Sequence, residues 1–259
     1  MAQSDETAVA PQGTPGNTVQ DASPDSGYLL QVTGLEAGYG AKQVVFDVSL
    51  TVGAGEIVGI VGHNGAGKTT TLNSIFGMLR PRGGQVTYRG ESIAGRTCHK
   101  NVLAGMTLVP SEQFVFADLS VAENLQLGAL WTPPAKRAAL LDSVYDIFPV
   151  LKENPKQRAG QFSGGQQRML SIGMALMADP KFMLFDEPSL GLAPAVTIRV
   201  FDTLRQLVED RGISVLILEQ NMPQLLRIVD RVYVMRSGRI AGEETAEQLR
   251  AREHYWDIF

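Results

Sequence analysis

Gly62-His63-Asn64-Gly65-Ala66-Gly67-Lys68-Thr69 gathers, within eight residues, the groups needed to hold a phosphate. Glycines let the backbone fold so that several N–H groups point inward at one anion. Lys68 offers a positive charge to β- and γ-phosphates, and Thr69 offers a hydroxyl to Mg²⁺. The run fits G-x-x-x-x-G-K-[ST], and Thr70 follows it directly. Its context also fits. "EIVGIVG" before it reads as a buried strand, and "GKTTTLNSIFGML" (67–79) as a helix ending before Arg80 and Pro81. A helix N-terminus at this point adds a partial positive charge. The ligand expected from these residues is a nucleotide such as ATP, with Mg²⁺.

Two carboxylates complete the chemistry. "KFMLFDEP" reads as a buried strand that delivers Asp186 and Glu187 at its end. Open α/β sheets bind ligands at the C-terminal ends of their strands. Asp186 there suits Mg²⁺ held through water, and Glu187 suits the orientation and activation of an attacking water. A second anion site lies in Phe162-Ser163-Gly164-Gly165-Gln166. Ser163 is placed as a helix N-cap, and Gly164 and Gly165 expose backbone N–H groups.

These groups need a scaffold. "YLLQVTGL", "VVFDVSLTV", "GQVTYRG", "GMTLVP", "ISVLILEQ" and "RVYVMRSG" read as further strands. Residues 120–160 read as helical, opening with a capping box at Ser120 and Glu123. In 164–178 the helical spacing puts Met169, Ile172, Gly173, Leu176 and Met177 on one face. In 194–212 it turns Val196, Val200, Phe201, Leu204 and Leu207 inward. Strands alternating with helices imply a largely parallel sheet covered by helices.

Composition narrows the classes. The chain has 259 residues, 44 % of them apolar, enough for one large globular domain or a domain plus a lobe. The formal net charge is −4 and the basic residues are scattered, so no nucleic-acid surface is expected. Cys98 is the single cysteine, which rules out an internal disulfide and fits a reducing compartment. No apolar run approaches the ~20 residues that span a bilayer. No signal-peptide pattern opens the chain. Residues 1–27, rich in Pro, Gly, Ser, Thr and Asp, read as a disordered extension.

The cradle at 62–69, "FMLFDEP" and "FSGGQ" together resemble the nucleotide-binding subunits of ABC transporters over roughly residues 29–243. Phe162 replaces the leading Leu of the family's usual LSGGQ. The resemblance implies an ABC-type P-loop NTPase fold. Its α/β core sheet is mostly parallel, with an antiparallel β subdomain and an inserted helical subdomain at about 112–175. Residues 28–243 would form this ATPase domain, and 244–259 a C-terminal helix and tail. It also implies two subunits facing head to tail. Each ATP then lies between one cradle and the other subunit's Ser163-Gly164-Gly165-Gln166. Tyr39 matches the aromatic that stacks on adenine, and "SLGLAP" (189–194) the loop that crosses to the partner site.

Two departures stand out. Gln220 takes the place of the family's switch His after "VLIL", and its amide can hydrogen-bond a γ-phosphate without becoming charged. Ser111 stands where the family usually has Gln, with Glu112 and Gln113 just after. Glu112 therefore joins Thr69 and Asp186 as a metal candidate, with Ser111 and Gln113 as the alternatives. Phe114 and Phe116 are candidate contacts for a transmembrane partner.

"EPSLGLAP" and "EQN" resemble the subfamily that serves branched-chain amino-acid uptake and its relatives for urea and amides. That subfamily implies a second, His-bearing ATPase subunit, transmembrane permeases, an external solute-binding protein, and a place on the cytoplasmic face of the membrane. A homodimer remains the alternative to the unequal pair. A soluble ABC ATPase acting on ribosomes or DNA, and a weakly hydrolysing nucleotide-dependent regulator, are the competing classes.

Overall fold

The computed structural model describes residues 27–112 and 115–252. The expectations for the extension before Gly27, for Gln113 and Phe114, and for the end of the C-terminal tail after Arg252 therefore lie outside the described residues.

The chain begins with a long antiparallel pair, β1 (Tyr28–Tyr39) and β2 (Lys42–Gly53), before β3 (Ile57–Val61) and α1 (Lys68–Phe76). β4 (Gly83–Tyr88), β5 (Glu91–Ser92), α2 (Cys98–Leu103) and β6 (Met106–Val109) follow. Helices then dominate: α3 (Val121–Gly128), α4 (Pro134–Ile147), α5 (Pro149–Glu153), a short 3₁₀ turn (Ala159–Gln161) and α6 (Gly164–Leu176). The last part alternates β7 (Phe182–Asp186), α7 (Pro194–Arg211), β8 (Ser214–Glu219), α8 (Met222–Leu225), β9 (Arg231–Arg236), β10 (Arg239–Thr245) and α9 (Ala246–Arg250).

Two sheets result. One is antiparallel, in the order β2-β1-β4-β5. The other runs β10-β9-β3-β8-β7-β6 and is parallel apart from its edge pair β10–β9. Strands β3, β7 and β8 are buried at every position, which is why they read as unbroken apolar runs. Their side chains alternate between two cores. Ile57, Val61, Met183, Phe185, Val215 and Ile217 face the helical side, with Leu125, Leu170, Phe201 and Leu225. Val58, Ile60, Phe182, Leu184, Leu216 and Leu218 face α1 and the antiparallel sheet.

Local signals set the helix ends. Ser120 and Ser163 each form a reciprocal capping box, with Glu123 and Gln166 respectively. α7 starts with Pro194 in its first turn and stops at Gly212 in the left-handed conformation. α1 ends at Phe76, short of the expected residue 79. Gly77, at φ 91°, caps it and returns its N–H to the Asn73 carbonyl. The inward face of α6 also differs from the expected one. Leu170, Ser171 and the whole of Arg168 are buried, whereas Met169 is half-buried. α6 is packed by α3 and by α7, so a single-face pattern understates its contacts. In α7 the expected inward residues are buried except Val196, which is half-buried.

The α3–α6 contact depends on Gly128. A Cβ there would stand 2.2 Å from the Met174 carbonyl oxygen. Gly128→Ala should therefore cost about 1–3 kcal/mol through forced backbone separation. A lowered urea midpoint for the variant checks this; an unchanged midpoint would show that the two helices separate freely.

Candidate active site

Parallel register brings the chemistry to the C-terminal ends of three neighbouring strands of the large sheet. Val61 pairs with Glu219, and Asp186 pairs with Leu218. The loop after β3, the carboxylates at the end of β7 and the Glu219–Gln220 corner after β8 therefore lie side by side.

The loop after β3 closes tightly. The Ala66 N–H donates to the His63 carbonyl at 3.1 Å. Gly67 takes φ 104° as the residue before α1, a conformation that penalises any side chain. At Gly62 a Cβ would lie 2.3 Å from the Met235 carbonyl oxygen. His63, Asn64 and Gly65 are exposed at the rim, whereas Ala66, Gly67 and Thr70 are buried beneath it. Lys68 is only 4 % exposed, and its ammonium donates to the carbonyls of Gly62 at 2.8 Å and His63 at 3.4 Å. Its charge is thus fixed inside the turn, beside the start of α1. Such a cradle suits the phosphates of a nucleotide.

Thr69 reaches across to β7, where its hydroxyl donates to Asp186 Oδ1 at 3.2 Å. Burial pushes the Asp186 carboxyl above its usual range, while the Thr69 hydroxyl, Lys68 and the Ser111 hydroxyl pull it back. A hydroxyl and a carboxylate oxygen facing each other suit a hard cation that keeps several of its own waters. Of the two alternatives among the described residues, Ser111 is the one whose hydroxyl favours the charged form of Asp186. Glu112 is exposed.

Glu187 follows in a left-handed backbone, φ 47°, with its N–H on the Leu218 carbonyl at 2.9 Å. This bend turns it to the same side as Asp186. Its Oε1 lies 3.5 Å from the Lys68 ammonium and accepts from Gln220 Nε2 at 2.7 Å. Lys68 at the start of α1, Glu187 after β7 and Gln220 after β8 thus converge.

The remaining candidates lie further out. Tyr39 stands at the β1–β2 turn with 51 % of its surface exposed. β2 runs back beside the cradle, where the Val44 carbonyl is 3.4 Å from the Cβ position of Gly67. Ser163 and Gly164 are exposed at the start of α6, and Gly164 has open space around it. Within the cap the Gln166 side-chain oxygen Oε1 accepts from the Ser163 N–H at 2.9 Å.

Two buried charges under the site carry no local sequence signal. Arg168, on α6, donates to the carbonyls of Pro110 at 2.7 Å and Ser111 at 3.0 Å. Burial pulls its guanidinium down to about 10, against the attraction of Glu219 and Asp186. Glu219, at the end of β8, is held by donors from Ser189 and Gln220.

Residues 45–190 match the family model described as ABC transporter. The chain belongs to the ABC transporter ATPase family. It is 42 % identical to the high-affinity branched-chain amino acid transport ATP-binding protein BraG of Pseudomonas aeruginosa, across 89 % of this chain and 99 % of that protein. It is 34 % identical to a probable branched-chain amino acid transport ATP-binding protein, LivF, of Archaeoglobus fulgidus, across 88 % and 96 %. The lipopolysaccharide export system ATP-binding protein LptB of Haemophilus influenzae is 36 % identical, across 89 % and 96 %. Among solved structures, a nucleotide-free ATP-binding cassette from an ABC transporter superposes with a TM-score of 0.79 at 25 % identity, covering 89 % of this chain and 98 % of that one. An ABC transporter cassette in its ADP conformation gives 0.77 at 26 % identity over the same shares. The fold is that of an ABC ATPase, and the chain is an ATP-hydrolysing transporter subunit.

Proposed function

We propose that this ABC ATPase drives the import of branched-chain or other hydrophobic amino acids through separate permease subunits, with urea and short amides as the nearest alternative cargo. The identity to BraG over nearly the whole of both chains carries this reading. Likeness to LptB supports a second one, export of a lipid-linked substrate, over a similar span but at lower identity. Among the described residues no helix is long and apolar enough to cross a membrane. The permease would therefore bring this chain to the cytoplasmic face, and exposed Phe116 is a candidate contact for it.

Within the site, the backbone of residues 62–67 and the Lys68 ammonium hold the β- and γ-phosphates, and Tyr39 stacks on the adenine. Thr69 and Asp186 would hold Mg²⁺, with the Ser111 hydroxyl favouring the charged carboxylate. When bound, the ion would neutralise charge that develops on the phosphates. Glu187 orients the attacking water and receives its proton. Gln220 steadies Glu187 through the 2.7 Å contact. Ser163, Gly164, Gly165 and Gln166 face the nucleotide of a second ATPase subunit, head to tail. Gln220 in place of a titratable His favours a second subunit of a different kind. Residues 28–243 form the ATPase unit, its helical lobe at about 112–175.

Affinity purification of the chain from native membranes, followed by mass spectrometry, tests the proposal. Two permeases and a second, His-bearing ATPase are expected. Lipopolysaccharide-export components would establish the second reading, and ribosomes or a lone homodimer would remove the unequal import pair.

A further inference from the structure

One buried carboxylate in the site has no role in this scheme. Glu219 is 1 % exposed, yet its two oxygens take three donors from two loops. Oε1 accepts the Ser189 N–H at 2.8 Å. Oε2 accepts the Ser189 hydroxyl at 2.9 Å and the Gln220 N–H at 3.2 Å. Burial raises the pKa of this carboxyl, and these donors oppose the rise. A buried carboxylate is tolerated when it is hydrogen-bonded in this way, and the bonds to its charged form are the strong kind.

The placement of the two loops gives the bonds a purpose. Ser189 lies just beyond Glu187, and Gln220 adjoins Glu219. Between them runs the 2.7 Å contact from Gln220 Nε2 to Glu187 Oε1. An amide in place of Glu219 has a single acceptor oxygen and would turn its NH₂ toward other donors. Only a carboxylate accepts from all of them together.

We propose that Glu219 is a positioning residue whose carboxylate locks the Ser189 loop to the Gln220 corner and so sets Gln220 against Glu187. The proposal rests on the reading that Glu187 handles the attacking water with Gln220 as its support.

Glu219→Gln, Glu219→Ala and Ser189→Ala, each alone and combined with Gln220→Ala, test it. Each single variant should bind a fluorescent ATP analogue with Mg²⁺ within about 2-fold of the parent, because the cradle is untouched. Turnover should fall about 10–10²-fold for Glu219→Ala and less for Ser189→Ala, as expected for a misplaced catalytic group. On the Gln220→Ala background the same changes should cost less than about 2-fold further, since they act through that residue. Amide hydrogen exchange over 187–192 and 219–222 should quicken in both Glu219 variants. The full loss of turnover on the Gln220→Ala background would overturn the proposal, as would parallel loss of affinity or unchanged exchange in both loops. If Gln220→Ala alone keeps parent turnover, the role given to Gln220 falls. Exchange then decides on the lock itself: quickened loops uphold it and unchanged loops refute it.

Discussion

A Glu187→Gln chain should bind ATP as the parent does and hydrolyse it about 10²–10⁴-fold more slowly, the range that loss of a general base spans. The substitution keeps the size of the side chain and an oxygen able to accept from Gln220 Nε2, so the loop has no reason to move. What it removes is the negative charge facing Lys68 at 3.5 Å and the ability to take a proton from water. Binding and chemistry should therefore separate, with single-turnover assays showing bound, uncut ATP. In the head-to-tail arrangement proposed above, the same variant should accumulate as an ATP-bound dimer on size exclusion. Turnover at the parent rate would reject Glu187 as the base, whatever the state of the dimer.

Lys68→Ala should act earlier. The ammonium is buried in the turn, held by the carbonyls of Gly62 and His63, and it is the positive side chain there that faces Glu187. Its removal takes away the charge that meets the phosphates and leaves the Glu187 carboxylate beside an uncompensated polar turn. Loss of one preorganised electrostatic contact of this kind costs about 10²–10³-fold in rate. Here the affinity for nucleotide should fall with it, because the same group serves ground state and transition state. Equilibrium binding of a fluorescent ATP analogue and steady-state turnover check both effects, with a thermal melt to confirm that the variant folds. Near-parent binding and turnover together would remove the assignment of residues 62–69 as the phosphate cradle.

Much of the fold was legible because its signals are local. The buried strands around Val58, Leu184 and Leu216 read directly as apolar runs, and the caps at Ser120 and Ser163 declare two helix starts. The glycine-rich run, Asp186 and Glu187 were recognisable from residue type and position at strand ends. Other features depend on partners far along the chain. Whether Ser111 or Glu112 meets Asp186 is decided by how the loop after β6 lies against β7, and no spacing rule encodes that. The burial of Arg168 depends on carbonyls 57 and 58 residues away, and Glu219 on a serine 30 residues away. A charged residue in an amphipathic pattern reads as solvated until the element packed over it is known. The end of α1 was misplaced for a smaller reason: the apolar period continues through Met78 and Leu79, but Gly77 adopts the left-handed conformation and breaks it.

The backbone of Glu187 puts one demand of hydrolysis in conflict with endurance. At φ 47° a residue with a Cβ sits in a region that costs roughly 1–2 kcal/mol relative to ordinary helical geometry. A glycine would adopt this conformation without steric strain, but it has no carboxylate to take a proton from water. Selection on heat resistance alone would thus drift toward discarding the carboxylate, giving a hardier protein that holds its fuel and does no work. A laboratory library screened for melting temperature should therefore be counter-screened for turnover from its first round.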